Sequence, residues 1–181
     1  MMNNIKLAIS IFLFSHLVVA QTKDPLLSKD FEKQFFWVDS IYNAMTLDEK
    51  IGQLFFIQAN SFKSNNSEQI NSLIKNQKIG GLIFSKGTPN KQITLTKSFQ
   101  KKSKVPLLIS MDAEWGLSMR LDSVPKFPWN MSLGSISNNN LIEKVGKMIG
   151  KQCKTVGVHL NFSPVVDINT NPKNPIIGNR S

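Results

Sequence analysis

"VPLLISMDAEWGLSMR", residues 105–120, runs an apolar stretch straight into two carboxylates, a tryptophan and an arginine. The segment from Val105 to Ser110 has the composition of a buried strand, and Asp112 and Glu114 stand at its end. Parallel α/β sheets gather their chemistry at the carboxyl ends of their strands, so the stretch raises that fold class at once. The test is whether the same unit recurs along the chain.

It recurs on both sides. "LFFIQA" (54–59) and "GGLIFS" (80–85) precede it, and "VHLNFSPVVDI" (158–168) follows, each an apolar run bounded by polar or turn residues. Between them lie helical patterns. Residues 67–77 put Ile70, Leu73 and Ile74 on one face, and 89–102 opens on Pro89. In 138–156, Leu141, Ile142, Val145, Met148, Ile149 and Cys153 fall on an inner side, with Gly157 as the stop. Upstream, Phe31, Phe35, Val38, Tyr42 and Met45 recur at helical spacing, and "TLDE" (46–49) has capping-box spacing. These segments predict an amino-terminal helical layer. Strands apolar on both faces, alternating with amphipathic helices, predict a parallel sheet covered on both sides. Two architectures fit: a doubly wound open sheet or a (β/α)8 barrel.

The 181 residues are 41% hydrophobic and 19% charged, which suits one globular domain and excludes disorder. The first twenty residues differ in kind. Lys6, the run "LAISIFLFSHLVVA", small Ala20 and polar "QTKDP" form the pattern of a signal peptide cleaved near Ala20. An uncleaved anchor is the alternative, although the run is shorter than the ~20 residues a membrane span requires. No cysteine follows it to take a lipid, and no comparable run recurs, so residues 21–181 are expected to be exported, periplasmic or secreted, without stable membrane insertion. The single cysteine, Cys153, leaves no intramolecular disulfide and reads as packing. The formal charge of +10 is scattered except for "KKSK" at 101–104, with no basic stripe interleaved with aromatics, so nucleic acid is not an expected partner.

Asp112 and Asp167 both fall at expected strand ends. For one isolated aspartate, a cap or turn is the plainer reading. The arrangement says more: Asp112 and Glu114 share a face if extended, Arg120 lies one short loop on, and Arg180 follows the fourth strand in "NPIIGNRS". Acidic acceptors and arginine donors on one rim suit a polyol, whose hydroxyls both donate and accept. Trp115 or Trp129 offers a flat surface to a pyranose ring, or else simply packs. No histidine neighbours "DAE", so no metal and no other cofactor is expected. His159, inside an apolar run, reads as a satisfied core histidine.

"MTLDEKIGQL", "KIGGLIFSKGTPNKQ", "VPLLISMDAEWGLSMRLDSVPKFPWNMSLG" and "GVHLNFSPVVDINTNPKNPIIGNRS" together resemble the amino-terminal catalytic domain of glycoside hydrolase family three, in its exported β-N-acetylglucosaminidase (β-hexosaminidase) form. The resemblance covers about residues 37–181 in family order. It implies the first half of a TIM-like (β/α)8 barrel and retaining hydrolysis of terminal β-linked sugars from oligosaccharides. It also implies that Asp112 grips hydroxyls of the terminal sugar and that Arg120 and Arg180 bind the same sugar. Where many members read "DHEGG" this chain reads "DAEWG", so Trp115 departs from that version.

The family's lysine–histidine pair, its acid/base histidine and its aspartate nucleophile belong to later strands and loops, and none of those motifs occurs before Ser181. Residues 21–181 therefore read as the amino-terminal part of a catalytic barrel, with the catalytic residues expected beyond residue 181. A β-glucosidase of the same family, an exported sugar-binding module without catalysis, and a scaffold protein built on the same half-barrel are the alternatives.

Overall fold

The computed structural model describes residues 29–62 and 66–181; the expected leader lies outside them. The chain divides into two units, Met1–Asn43 and Ala44–Ser181. The described residues of the first carry all but the last residue of helix α1, Phe31–Ala44, whose first turn receives a carboxylate because the Lys33 N–H donates to Asp30 Oδ1 at 3.1 Å. The helix forms as its spacing predicts, with no residue along it buried.

The second unit opens with α2, Leu47–Gly52. Its capping box is complete: the Glu49 N–H donates to Thr46 Oγ1 at 3.2 Å, and the Thr46 N–H to Glu49 Oε2 at 3.1 Å. Strand and helix then alternate through β1 (Phe56–Asn60), α3 (Ser67–Gln77), β2 (Gly81–Lys86), α4 (Pro89–Lys102), β3 (Leu108–Met111), the short α5 (Asn130–Gly134), α6 (Asn139–Val156) and β4 (Leu160–Asn161). All four strands are parallel, in the order β1-β2-β3-β4.

That order separates the two architectures. A doubly wound sheet reverses its strand order at a switch point and so places helices on both faces. Sequential order with crossovers of one hand puts every helix on the same face, which is the barrel arrangement. The core agrees: Ile57, Ala59, Leu82, Phe84, Ile109 and Met111 from the strands meet Ile70 and Ile74 of α3, Phe99 of α4, and Cys153 and Val156 of α6. The opposite face carries Phe56, Gly81 and Leu108 in one register row and Gln58, Ile83, Ser110 and Leu160 in the next. The Phe56 ring lies across Gly81, where a Cβ would stand 2.5 Å from it. Among the described residues no helix covers this face, and Leu108 is 42% exposed, which sets the doubly wound alternative aside and agrees with the expected half-barrel. The apolar residues of the second face belong to a barrel interior instead.

Three details differ from the sequence reading. Strand β4 has two residues, not eleven: the Phe162 N–H still donates to the Met111 carbonyl at 2.9 Å, but beyond it the chain leaves the ladder and Pro164 has no N–H to donate; Val166 and Ile168 are 85% and 80% exposed. Only the carboxyl-terminal half of α6 reaches the core, through Ile149, Cys153 and Val156, while Leu141 and Met148 are exposed. Strand β3 is shorter than its apolar run, but a side-chain amide prolongs the pairing at each end. Gln100 bonds both backbone groups of Leu107 (2.9 and 2.7 Å), and Asn161 bonds both of Ala113 (3.0 and 3.2 Å).

Candidate functional site

Asp112 is the residue that follows β3, and Ala113 beside it is fixed by the two Asn161 bonds. The backbone therefore presents Asp112 and Glu114 from a rigid edge. Each carboxylate finds a different arginine.

Arg120 serves Asp112. Its Nε donates to the Asp112 carbonyl oxygen at 2.7 Å and its Nη2 to Asp112 Oδ2, so one guanidinium holds both the main chain and the side chain. Arg120 is itself placed from the next strand: the Gly87 N–H donates to the Arg120 carbonyl at 3.2 Å, and the Asp122 N–H to the Gly87 carbonyl at 2.9 Å. Gly87 has φ +143°, and a Cβ there would lie 1.6 Å from Ser61 Oγ, so the close approach requires glycine. The Asp112 and Arg120 side chains stay 33% and 26% exposed. Among the described residues Asp112 Oδ1 accepts no hydrogen bond.

Arg180 serves Glu114. Nε donates to Oε2 at 2.9 Å and Nη2 to Oε1 at 2.5 Å, a bidentate pair in which the Glu114 side chain is only 5% exposed. Nη1 donates to the Ile176 carbonyl at 3.1 Å, which leaves two of the five guanidinium N–H bonds uncommitted on a side chain 35% exposed. The Arg180 carbonyl in turn accepts from Asn130 Nδ2 at 2.9 Å, so α5 fixes the other side of the residue. The hydrogen bonds to Glu114 hold the Arg180 guanidinium above its ordinary value, supported by the charges of Glu114, Asp112 and Asp167 and opposed by desolvation. Arg180 thus stands as a permanent cation within electrostatic reach of three carboxylates.

The site residues expected from the sequence come together in part. Asp112 and Arg120 form one pair, and Arg180 joins the cluster through Glu114, which the sequence reading weighed but did not assign to the site. Asn161 and Asn130, which place the charged residues, carried no sequence signal. Asp167 is exposed on the segment after β4, where its carbonyl accepts from Ser181 Oγ at 2.9 Å. His159 is exposed, so the expected core position is corrected; its Nδ1 still accepts the Ile109 N–H at 3.0 Å, which satisfies that nitrogen. Trp115 and Trp129, distant in sequence, meet with ring centroids 5.8 Å apart and planes at 55°. A cavity of about 290 Å³ lies behind the motif, lined by Leu117, Val124, Met148 and Gln152 among others, and holds none of these charged groups.

Acceptors and donors fixed on a strand-end rim can grip a molecule whose groups both donate and accept. The family model described as the glycosyl hydrolase family 3 N terminal domain matches residues 46–181. A "Beta-N-acetylglucosaminidase/beta-glucosidase" of Cellulomonas fimi is 29% identical over 145 residues, covering 80% of this chain and 25% of that protein. A "Beta-hexosaminidase A" of Pseudoalteromonas piscicida is 35% identical over 126 residues, covering 62% of this chain and 21% of that one. Among solved structures, a "Beta-glucoside phosphorylase" bound to 2FGlc superposes with a TM-score of 0.77 at 26% identity, over 86% of this chain and 27% of the other. The chain spans about a quarter of the length of these relatives.

Proposed function

Since the chain belongs to glycosyl hydrolase family 3, we propose that the whole protein releases terminal β-linked sugars, N-acetylglucosamine foremost, by hydrolysis with retention of anomeric configuration. The observation that carries this reading is Asp112, its Oδ1 unpaired, standing at the end of β3 two residues before Glu114, which holds Arg180 with two of its N–H bonds uncommitted. The hydroxyls of a sugar can give protons to a carboxylate and accept them from a guanidinium. In this reading Asp112, Arg120 and Arg180 bind the terminal sugar.

A retaining mechanism needs one group to protonate the leaving oxygen and another to attack the anomeric carbon. Both oxygens of Glu114 are engaged by Arg180, so it offers no free face for attack, and Arg120 occupies one oxygen of Asp112. We therefore assign residues 21–181 to the amino-terminal part of the catalytic barrel and the reacting groups to later strands of the whole protein. The leader reading makes the protein exported; no helix among the described residues is long and apolar enough to cross a membrane.

The relatives' names, which include both a hexosaminidase and a glucosidase, support a comparison of two substrates. The test is release of the aryl group from an aryl β-N-acetylglucosaminide and an aryl β-glucoside by the whole protein, with the anomer of the first product read by NMR. The expected result is faster release from the N-acetylglucosaminide with a β product. No release from either would overturn the hydrolase reading, and binding without turnover would favour a sugar-binding module. Amino-terminal sequencing of the exported protein is expected to begin at or near Gln21; recovery of Met1 would overturn the leader.

A further inference from the structure

We propose that the outward face of α4 and α6 is a docking surface for an anionic polysaccharide, a carboxylate-bearing glycan that holds the protein beside sugar chains. The choice of a glycan among polyanions rests on the exported, sugar-releasing reading given above; the surface itself does not.

The charge that is scattered along the sequence is gathered by the fold. Residues 89–104 carry five lysines and no acid, and α6 carries Lys144, Lys147, Lys151 and Lys154 against the single Glu143. The rest of the chain has thirteen cations and eleven acids, so eight of the ten net positive charges come from these two segments. The two helices are neighbours, with α4 packed against α6, and all nine lysines are exposed. Among the described residues only Lys147 meets an acid, Glu143 at 2.5 Å on its own helix.

Helix stability does not account for this pattern. Lys101, Lys102 and Lys154 stand in last turns, where a cation favours the helix. Lys91 stands at the opposite end of α4, where an acid is favoured, and neither helix has an acid in its first turn. Lys97 and Lys101, like Lys147 and Lys151, are four residues apart, so like charges face each other along each helix and repel. A polyanion lying across both helices relieves that repulsion and supplies the acids that the surface lacks.

The surface also selects the kind of polyanion. All nine cations are lysines, point charges that attract without fixing a geometry, whereas both arginines of the chain, Arg120 and Arg180, are engaged in the candidate site. No exposed aromatic stands among the lysines for a nucleobase to stack on, since Phe99 is 1% exposed. Helix α4 presents no large exposed apolar side chain to a bilayer, and α6 exposes only Leu141 and Met148. The position leaves the rim clear. In a parallel α/β unit each helix runs back toward the amino ends of the strands, so Lys101, Lys102 and Lys154 lie toward the end of the sheet opposite Asp112.

The test uses the whole protein, with polygalacturonate as the anionic glycan and dextran as the neutral one, at low and high salt. Lys97→Gln/Lys101→Gln/Lys151→Gln is compared with Lys29→Gln/Lys75→Gln/Lys173→Gln, which removes the same charge elsewhere. The wild type is expected to bind polygalacturonate and not dextran, with an affinity that falls as salt screens the charges. The first variant is expected to bind about tenfold more weakly, and the second within about twofold of wild type. Polygalacturonate is expected to raise the melting temperature of the wild type, and to raise that of the first variant less. Equal losses in both variants would overturn the proposal, because net charge alone would then account for binding. Equal binding of dextran would overturn it as well. Tighter binding of phosphatidylglycerol vesicles or of single-stranded DNA than of polygalacturonate would overturn it in favour of a membrane or a nucleic acid. Failure of the function reading looks different: the wild type would lack turnover of an aryl β-N-acetylglucosaminide, while binding of polygalacturonate that is lost in the first variant alone would still support the surface.

Discussion

Replacing Asp112 tests the binding role where structure and function separate most cleanly. In the native chain its Oδ2 is paired with Arg120 and its Oδ1 is unpaired, with the two side chains 33% and 26% exposed. An ion pair that exposed contributes about 0–1 kcal/mol, so Asp112→Ala should lower the melting temperature by no more than about 4 °C. The catalytic effect is larger. In the proposed role Oδ1 accepts from one or two sugar hydroxyls, and each charge-assisted bond lost costs roughly 1.5–3 kcal/mol. The expected fall in kcat/KM is therefore about 10- to 10⁴-fold. Asp112→Asn keeps a carbonyl oxygen as acceptor and should lie between the wild type and Asp112→Ala. The assay is hydrolysis of an aryl β-N-acetylglucosaminide by the whole protein, alongside thermal melts of each variant. A melting temperature lowered by much more than 4 °C, with turnover within about twofold of wild type, would refute the reasoning and make Asp112 a turn residue.

Glu114→Gln and Arg180→Lys should each lower kcat/KM, on the order of tenfold, because each spoils the bidentate fork that aims Arg180. The double variant should be little worse than the poorer single one, as shown by a double-mutant cycle on the same substrate. Gly87→Ala should cost about 1–3 kcal/mol in a denaturant titration, since its Cβ would sit on Ser61 Oγ at a φ that side chains avoid. Burial pushes the Cys153 thiol up, so it should alkylate far more slowly in native protein than in urea. The sign for stability follows: this contribution is intact below the unfolded thiol's value and is lost as pH rises through the folded one. Above about pH 8.5 the wild type should therefore lose melting temperature faster than Cys153→Ala.

Long periodic segments carried their own boundaries. The predicted helices at 67–77 and 89–102 match α3 and α4, with Ile70 and Ile74 buried as the period requires and Pro89 at the start of α4. Gly157 ends α6 in the left-handed conformation its position suggested. Strands were less legible. Apolar residues on both faces of β2 and β3 suited a doubly wound sheet and a barrel equally; Ile83 and Leu108 face away from every helix that packs on the core. Composition alone does not distinguish a helix-covered face from a barrel interior, whereas strand order does. The five-residue α5 was too short to show a period. In the site, the local Asp112–Arg120 pair was within reach of sequence reasoning, and a polar rim containing Arg180 was expected. That Glu114 is the residue holding Arg180 depends on a fold that brings together positions 66 residues apart.

The two pairs differ in when they can form during synthesis. Arg120 leaves the ribosome eight residues after Asp112, so that pair can close almost as soon as β3 exists. Arg180 follows Glu114 by 66 residues, which at 5–20 residues per second is roughly 3–13 s of translation. Throughout that interval the Glu114 carboxylate has no guanidinium from Arg180, and it cannot settle into its nearly buried position without leaving a charge unpaired. The loop carrying "DAEWG" should therefore stay open and hydrated on the nascent chain, closing only when the segment after β4 arrives. The arginine that presents donors at the rim also acts as a latch on the order of folding.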